Sequence, residues 1–408
     1  MKHTHIIVVE PANGGGLVHF SYQLCNALSR LGAEIELITG SEYELDSLPH
    51  LFRVNKMLKL WKLFENRSEI ISLHPIQKAT LSLFRTMRRG VRAIRAVWAW
   101  IRLTIYILRV KPNWVIFSVL EYPFQSFFIW LLKTNGIRLS QICHEFEERE
   151  GNTFINKFFH QTDKLAYRSF SKIFFLSDHA RGQFLTFYPT VSENATYSIP
   201  HGNSEWLLGI QSQNADAIRR RFNIEADDSV ILFFGLLAPS KGIEDLIQAF
   251  ALASKDCHAK LMIAGYPTKH MSAESLTSLA AKLNISDKVI FDFRYVPSNE
   301  IGALMEIATV AAYPYHTSTQ SGALQIAYTF GKPVIATRAG GIAEVVEDGK
   351  SGFLVSPHAP TEIAEKIVFF VKNPQKVKEM GEYAKHLSQT RFAWDTVASQ
   401  ILSAYDVD

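Results

Sequence analysis

Short apolar runs rich in β-branched residues alternate, along most of this 408-residue chain, with longer stretches of helical periodicity. This alternation constrains the fold more than any other feature. A strand too apolar to face water on either side has to be covered by helices on both faces, which makes a parallel, doubly wound sheet. Strands are expected at 6–9, 34–38, 114–118, 139–144 and 172–176, then at 230–234, 260–264, 288–291, 310–313, 333–336 and 352–355. Helical patterns fall between them at 18–31, 243–253, 274–283, 298–307 and 361–371. Five or six strands per half fit two separate sheets, and a 47% hydrophobic composition with 20% charged residues supplies a core for each and excludes a disordered chain.

The polar stretch between Pro200 and Asp228, which holds Gly202, Asn203 and the run 211–216, divides the two halves. The expected domains are 1–205 and 206–390; residues 391–408 form a terminal helix with no strand after it, which packs elsewhere, back on the first domain. Two doubly wound domains facing each other would bind a ligand at the carboxyl ends of their strands. The apolar run near the N-terminus is too short for a signal-peptide core, and no run is long enough to cross a membrane. Three scattered cysteines (Cys25, Cys143, Cys257) form neither a disulfide framework nor a zinc motif, so a reducing, cytoplasmic setting is expected.

Three stretches carry possible chemistry. Gly14-Gly15-Gly16 lies between the first strand and the first helix, where glycines let a ligand approach the backbone and helix N–H groups attract anions. Its spacing departs from GxGxxG, which argues against a dinucleotide; a tight turn is the plainer reading. In 233–242 (FFGLLAPSKG), Lys241 follows a strand end and precedes a helix, placed either to neutralise a phosphate or simply to be solvated. In Ser318-Thr319-Gln320-Ser321-Gly322, hydroxyls and a glycine open a helix, either as a diphosphate cradle or as an ordinary N-cap.

Taken in order, the Gly-rich turn, IPHG (199–202), FFG…PSKG, AG (264–265), FRYVP (293–297), TQSGALQIAYTFGKPVIAT (319–337) and GGIAEVVEDGKSGFLV (340–355) resemble the GT-B glycosyltransferases of family 4. The resemblance covers nearly the whole chain and is strongest from about residue 229 to 355. It implies an α/β fold of two Rossmann-like doubly wound domains facing across a cleft, and retention of anomeric configuration without a metal or cofactor. The donor would be a nucleotide-diphosphate sugar, with a UDP-sugar or GDP-mannose favoured, held mainly by the C-terminal domain. The donor-binding positions would be Gly235, Lys241, Gly265, Arg294, Val296, Ser318, Thr319, Gln320, Ser321 and Gly322. His144, in ICHEFEERE, would position the transferring sugar and share the catalytic role with Lys241; Gly14, Gly15, Gly16 and Glu145 would lie on the acceptor side. Glu147, Glu148 and Glu150 read as a solvated face, and His201 either lines the cleft or serves a hinge. Two positions depart from the family pattern: Ser318 and Ile326 replace a pair of glutamates, and Leu236 replaces an arginine.

The segment 85–111 holds eight basic residues and no acidic one. Arg88, Arg95, Arg102 and Arg109 recur every seven residues beside an apolar stripe of Val91, Ile94, Trp98, Ile101, Ile105 and Leu108. A basic amphipathic helix with tryptophans suits an anionic bilayer surface, whereas a helix packed on its own sheet with a solvated charged face is the plainer reading. No nucleic-acid module accompanies it. Together with the resemblance, these features imply a retaining glycosyltransferase acting on a glycan or lipid-linked acceptor in surface polysaccharide or glycolipid synthesis, expected to be cytoplasmic and, if the basic helix lies on a bilayer, peripheral on its inner face. The alternatives are a non-catalytic GT-B partner subunit and a phosphorylase or epimerase of the same fold.

Overall fold

The computed structural model describes residues 4–58, 75–120, 122–146 and 154–406, and only the backbone of 75–90 and 154–160. The chain forms two compact units. One comprises Met1–Phe175, Arg181–Ile199 and Val397–Asp408; the other comprises Leu176–Ala180 and Pro200–Thr396.

In the N-terminal unit the strands are β1 (His5–Val9), β2 (Glu34–Gly40), β3 (Arg53–Leu58), β4 (Trp114–Phe117), β5 (Leu139–Cys143), β6 (Lys172–Phe175) and β7 (Thr196–Ser198). They form one parallel sheet in the order β3-β2-β1-β4-β5-β6-β7. The central strands are covered on both faces: every residue of β4, β5 and β6 is buried, and β4 (WVIF) is apolar throughout. β3 and β7 lie outside the strands expected from sequence. β3 (RVNKML) is a half-exposed edge strand with no apolar run, and β7 has three residues, so each owes its conformation to pairing with β2 or β6.

In the C-terminal unit, β8 (Ser229–Phe234), β9 (Ala259–Ala264), β10 (Val289–Asp292), β11 (Val310–Tyr313), β12 (Val334–Thr337) and β13 (Gly352–Val355) form a second parallel sheet, ordered β10-β9-β8-β11-β12-β13. Strand order reverses between β1 and β4 in one sheet and between β8 and β11 in the other, the position at which doubly wound sheets open a crevice for ligands. The terminal helix Trp394–Tyr405 starts in the C-terminal unit, where Trp394 Nε1 donates to the Asn203 carbonyl at 2.8 Å. From Val397 it counts with the N-terminal unit, where Tyr405 stacks on Trp114 at 3.9 Å and shares a hydrogen bond with Ser140.

The helix Pro75–Val110 packs through Ala96, Ala99, Trp100, Leu103 and Ile107, all buried. The stripe expected to be its apolar face largely points outward instead. Ile94 is 71% and Trp98 61% exposed, with Val91 and Ile105 also exposed, alongside the exposed Arg95, Arg102 and Arg109. The side chains of Arg85 and Arg88 lie outside the described residues.

Candidate active site

The site in the C-terminal unit is built where β8, β9 and β11 end. The chain leaves β8 at Gly235, whose N–H continues the ladder to the Ala264 carbonyl at 3.1 Å. Gly265 follows β9 with φ near 156°, and a Cβ there would lie 1.7 Å from the Gly235 carbonyl oxygen, so only glycine lets these two strand exits run side by side. A single 3-10 turn, Pro239–Lys241, leads to Gly242 in the left-handed region (φ 63°), and the helix Ile243–Ala253 begins. A Cβ on Gly242 would lie 1.9 Å from the Pro314 carbonyl oxygen. This close approach locks the Lys241 turn against the segment that follows β11.

Lys241 is thereby set with Nζ 3.9 Å from the ring centre of Tyr315. Tyr315 is buried, and burial pushes its phenol up to about 12, so it stays neutral and offers the ammonium its ring face. A cation–π contact of this kind is worth about 0.5–2 kcal/mol and orients the Lys241 side chain. Ser321 Oγ contacts the Tyr315 hydroxyl at 3.4 Å and accepts the Leu324 N–H at 3.2 Å, which makes Ser321 the N-cap of the helix Gly322–Thr329. The N–H groups of Gly322 and Ala323 precede the intrahelical bond from Gln325 N–H to the Ser321 carbonyl, the place where a helix start receives an anion.

Around this start, Ser318 Oγ donates to the Gln320 carbonyl at 2.6 Å and Ser177 Oγ donates to the Thr319 carbonyl at 2.8 Å. Gln320 Oε1 and both side-chain polar atoms of the fully buried Gln325 are shielded from solvent with no protein hydrogen-bond partner among the described residues. Orphaned polar atoms of this kind cost about 1–3 kcal/mol unless a ligand or water satisfies them. His201 borders the helix start: a Cβ on Gly322 would sit 3.5 Å from its Nε2. Its Nδ1 lies 2.7 Å from the Gly202 carbonyl, and burial pushes the imidazole down to about 4, so it is neutral near pH 7 with Nδ1–H donating to that carbonyl. The sequence reads His201 as lining the cleft or serving a hinge; the fold sets it beside the helix start at Gly322.

Not all donor-side expectations converge through their side chains. Arg294 is held by Asp292 (Nε to Oδ1, 2.8 Å) and by Glu300, and Arg221 joins the same two carboxylates. Val296 is buried in the core, which leaves its backbone as the part open to a ligand role. Leu236 is 53% exposed and Ile326 packs against the core, so no charge replaces the usual arginine and glutamate at these two positions.

The N-terminal unit places the Gly-rich turn at its own switch point, with the opposite electrostatics. Gly15 N–H donates to Glu44 Oε2 at 2.7 Å, and His19 Nε2 lies 3.3 Å from the same oxygen. Glu10, fully buried at the end of β1, accepts the Ala12 N–H and the Ser21 hydroxyl, both at 2.9 Å. The start of the helix Gly16–Arg30 thus already holds a protein carboxylate where a phosphate would otherwise sit. The sequence pointed to Gly14, Gly15 and Gly16 but not to Glu10, His19 or Glu44. Glu44 stands 29 residues from the turn, and only the fold brings it there. His144 follows β5 and meets Phe20 edge-to-face at 4.7 Å; Glu145 is exposed. Glu147, Glu148 and Glu150 lie outside the described residues.

With the two sheets and their strand ends defined, the fold is that of the GT-B glycosyltransferases. It aligns with sucrose-phosphate synthase from Thermosynechococcus elongatus (TM-score 0.69, 20% identity, 99% of this chain and 98% of that one). It aligns equally with Anabaena HepE in complex with UDP and glucose (TM-score 0.70, 19% identity, 99% and 100%). Residues 214–387 match the family described as Glycosyl transferases group 1. Over 225 residues the chain is 30% identical to the D-inositol 3-phosphate glycosyltransferase of Streptomyces griseus, a match covering 53% of this chain and 47% of that protein. The chain spans about half the length of the curated relatives it matches. The likeness to the group 1 glycosyl transferases thus lies within the C-terminal unit.

Proposed function

We propose that this protein transfers a glycosyl group, with retention of configuration, from a nucleoside-diphosphate sugar to a glycan or lipid-linked acceptor. The observation that carries the reading is the convergence of Lys241, held over Tyr315, with the capped helix start Ser321–Gly322 at the switch point of the C-terminal sheet. A diphosphate leaving group develops negative charge as the glycosyl bond breaks. A fixed ammonium and helix N–H groups stabilise that charge without reorganising. The orphaned Gln320 and Gln325 atoms mark the same segment as one that gains partners when a ligand or water enters. Gly235, Gly265 and the backbone around Val296 would face the nucleoside, and Ser318 and Thr319 the sugar and phosphates. His144 would position the transferring sugar, and the turn at Gly14–Gly16, with Glu145, would lie on the acceptor side. The departing diphosphate itself would take the acceptor's proton on the same face.

A UDP-sugar or GDP-mannose is the favoured donor. The screen that tests this is thermal shift with UDP, GDP, ADP and dTDP, since a ligand bound only by the native state raises its stability. A rise with one nucleotide, followed by transfer from its sugar in the presence of acceptor, supports the reading. Nucleotide binding with no transfer to any acceptor would favour the non-catalytic partner subunit, toward which the uncharged Leu236, Ser318 and Ile326 point. Sugar release or epimerisation without acceptor would favour the phosphorylase or epimerase.

The reading includes a cytoplasmic protein lying on an anionic membrane surface. Among the described residues no helix is long and apolar enough to cross a membrane. The helix Pro75–Val110 instead exposes Ile94 and Trp98 beside Arg95, Arg102 and Arg109, an arrangement suited to anionic headgroups, where each near-surface cation contributes ~1 kcal/mol. The protein should sediment with anionic but not neutral vesicles, salt should release much of it, and Arg88→Gln, Arg95→Gln, Arg102→Gln and Arg109→Gln together should weaken binding without unfolding the chain. Sedimentation indifferent to lipid charge and to these changes would remove the membrane from the proposal.

A further inference from the structure

Beside the donor cradle, three side chains from distant parts of the chain meet at the carboxyl edge of the C-terminal sheet. Asp245 stands in the first turn of the helix Ile243–Ala253, His316 in the loop after β11, and His358 between β13 and the helix Pro360–Lys372. Asp245 Oδ2 lies 2.8 Å from His316 Nε2 and 3.5 Å from His358 Nδ1. One ligand atom from each residue falls within 4.8 Å of the other two. The two imidazole rings stand 3.8 Å apart at 33°, and His358 adopts the left-handed conformation (φ 58°) that a non-glycine residue seldom takes. None of the three has a part in the transfer described above.

We propose that Asp245, His316 and His358 bind one divalent first-row transition ion, of which Zn²⁺ is the representative. Two imidazoles and one carboxylate favour such an ion over Mg²⁺ or Ca²⁺, which take oxygen ligands. A tetrahedral ion about 2.0–2.2 Å from each ligand needs ligand atoms roughly 3.2–3.6 Å apart. The observed 3.5 Å falls within that spacing and the 2.8 Å lies below it, so His316 and Asp245 would have to move apart slightly to admit the ion. His358 is 65% exposed while Asp245 is 16% exposed, which gives the ion an open approach and leaves a fourth position for water.

The ion would act on the fold rather than on the reacting bond. His316 N–H already donates to the Ser240 carbonyl at 2.8 Å, Gly242 already lies against Pro314, and Asp245 already meets His316, so the metal would reinforce the ties between the Lys241 turn and the segment leading to Ser321. It would also join His358, and with it the start of the helix Pro360–Lys372, to the same point. Occupancy should therefore stabilise the C-terminal unit and hold the cradle in one geometry.

The test uses the untagged full chain, freed of metal, titrated with Zn²⁺ against a chelating dye and with Co²⁺ by visible absorption. One equivalent should bind, Co²⁺ should show the intense bands of a four-coordinate site, and Zn²⁺ should raise the melting temperature. His358→Asn, an exposed change that spares the fold, should weaken binding at least ~10-fold, the scale on which even residues supporting a metal ligand are felt. Asp245→Asn should remove the Co²⁺ bands while circular dichroism stays native. Absence of saturable one-to-one binding, or binding that both variants retain, would overturn the proposal.

Discussion

The two units share a strand order at their switch points and carry opposite charge there. In the C-terminal sheet the crevice between β8 and β11 receives Lys241 and the serine-capped helix start at Ser321–Gly322. In the N-terminal sheet the crevice between β1 and β4 receives two carboxylates: buried Glu10, and Glu44 bound to the Gly15 N–H. Doubly wound geometry supplies a helix N-terminus in both cases, and a helix N-terminus attracts anions. Whether a ligand's phosphate can use it depends on what the chain has already put there. One unit sets a cation beside its helix start, and the other sets its own glutamate there. The same architecture thus carries a cation at one switch point and carboxylates at the other.

Lys241→Ala should break this contrast most severely. Transfer should fall at least ~100-fold under saturating donor, the loss usual for one group that stabilises developing charge. Near-normal turnover would mean that the C-terminal crevice does not work through its cation. His144→Ala should lower transfer while leaving nucleoside-diphosphate affinity, read by calorimetry, close to that of the parent. An equal loss of nucleotide affinity would erase the division of labour between the units.

His201 sharpens the comparison through pH. Its folded value of about 4 lies below the ordinary 6.5, so the unfolded chain binds the extra proton first. The stability this gives is complete above pH 6.5 and is lost as pH falls from 6.5 through 4. It amounts to about 3 kcal/mol at most, reduced by the ring's partial contact with solvent. Urea unfolding across that range should show the slope, and His201→Gln should flatten it. An unchanged slope in the variant would place the titrating group elsewhere. The smallest effect is expected in the N-terminal unit. Glu44→Ala removes a charge-assisted hydrogen bond and should cost about 1–2 kcal/mol in the same assay, without altering nucleotide affinity. A tightened nucleotide affinity in that variant would show that the carboxylate had been excluding phosphate, and a weakened one would contradict the electrostatic contrast.

Local sequence carried much of this. The runs that became β1, β4, β8, β9 and β11 are too apolar to be anything but doubly covered strands. Glycine at 242 and 265 and serine at 321 announce their turns and cap through their own conformational chemistry. Lys241 and Ser318–Gly322 were legible as anion-binding candidates because a strand end, a basic residue and a helix start lie within a few positions of one another. What the sequence withheld depends on partners far along the chain. β3 and β7 are strands only because β2 and β6 offer them a ladder. The helix Pro75–Val110 presents two stripes of apolar residues, and periodicity cannot say which meets the sheet. The fold buries Trp100 and Leu103 and leaves Ile94 and Trp98 outside. Glu44 reaches Gly15 across 29 residues, and Asp245 reaches His316 across 71. Periodicity and turn chemistry act over one or two turns of chain, so they determine elements and the glycines between them. Which charges meet at the ends of those elements is settled by the order in which the strands pair, and that belongs to the tertiary structure alone.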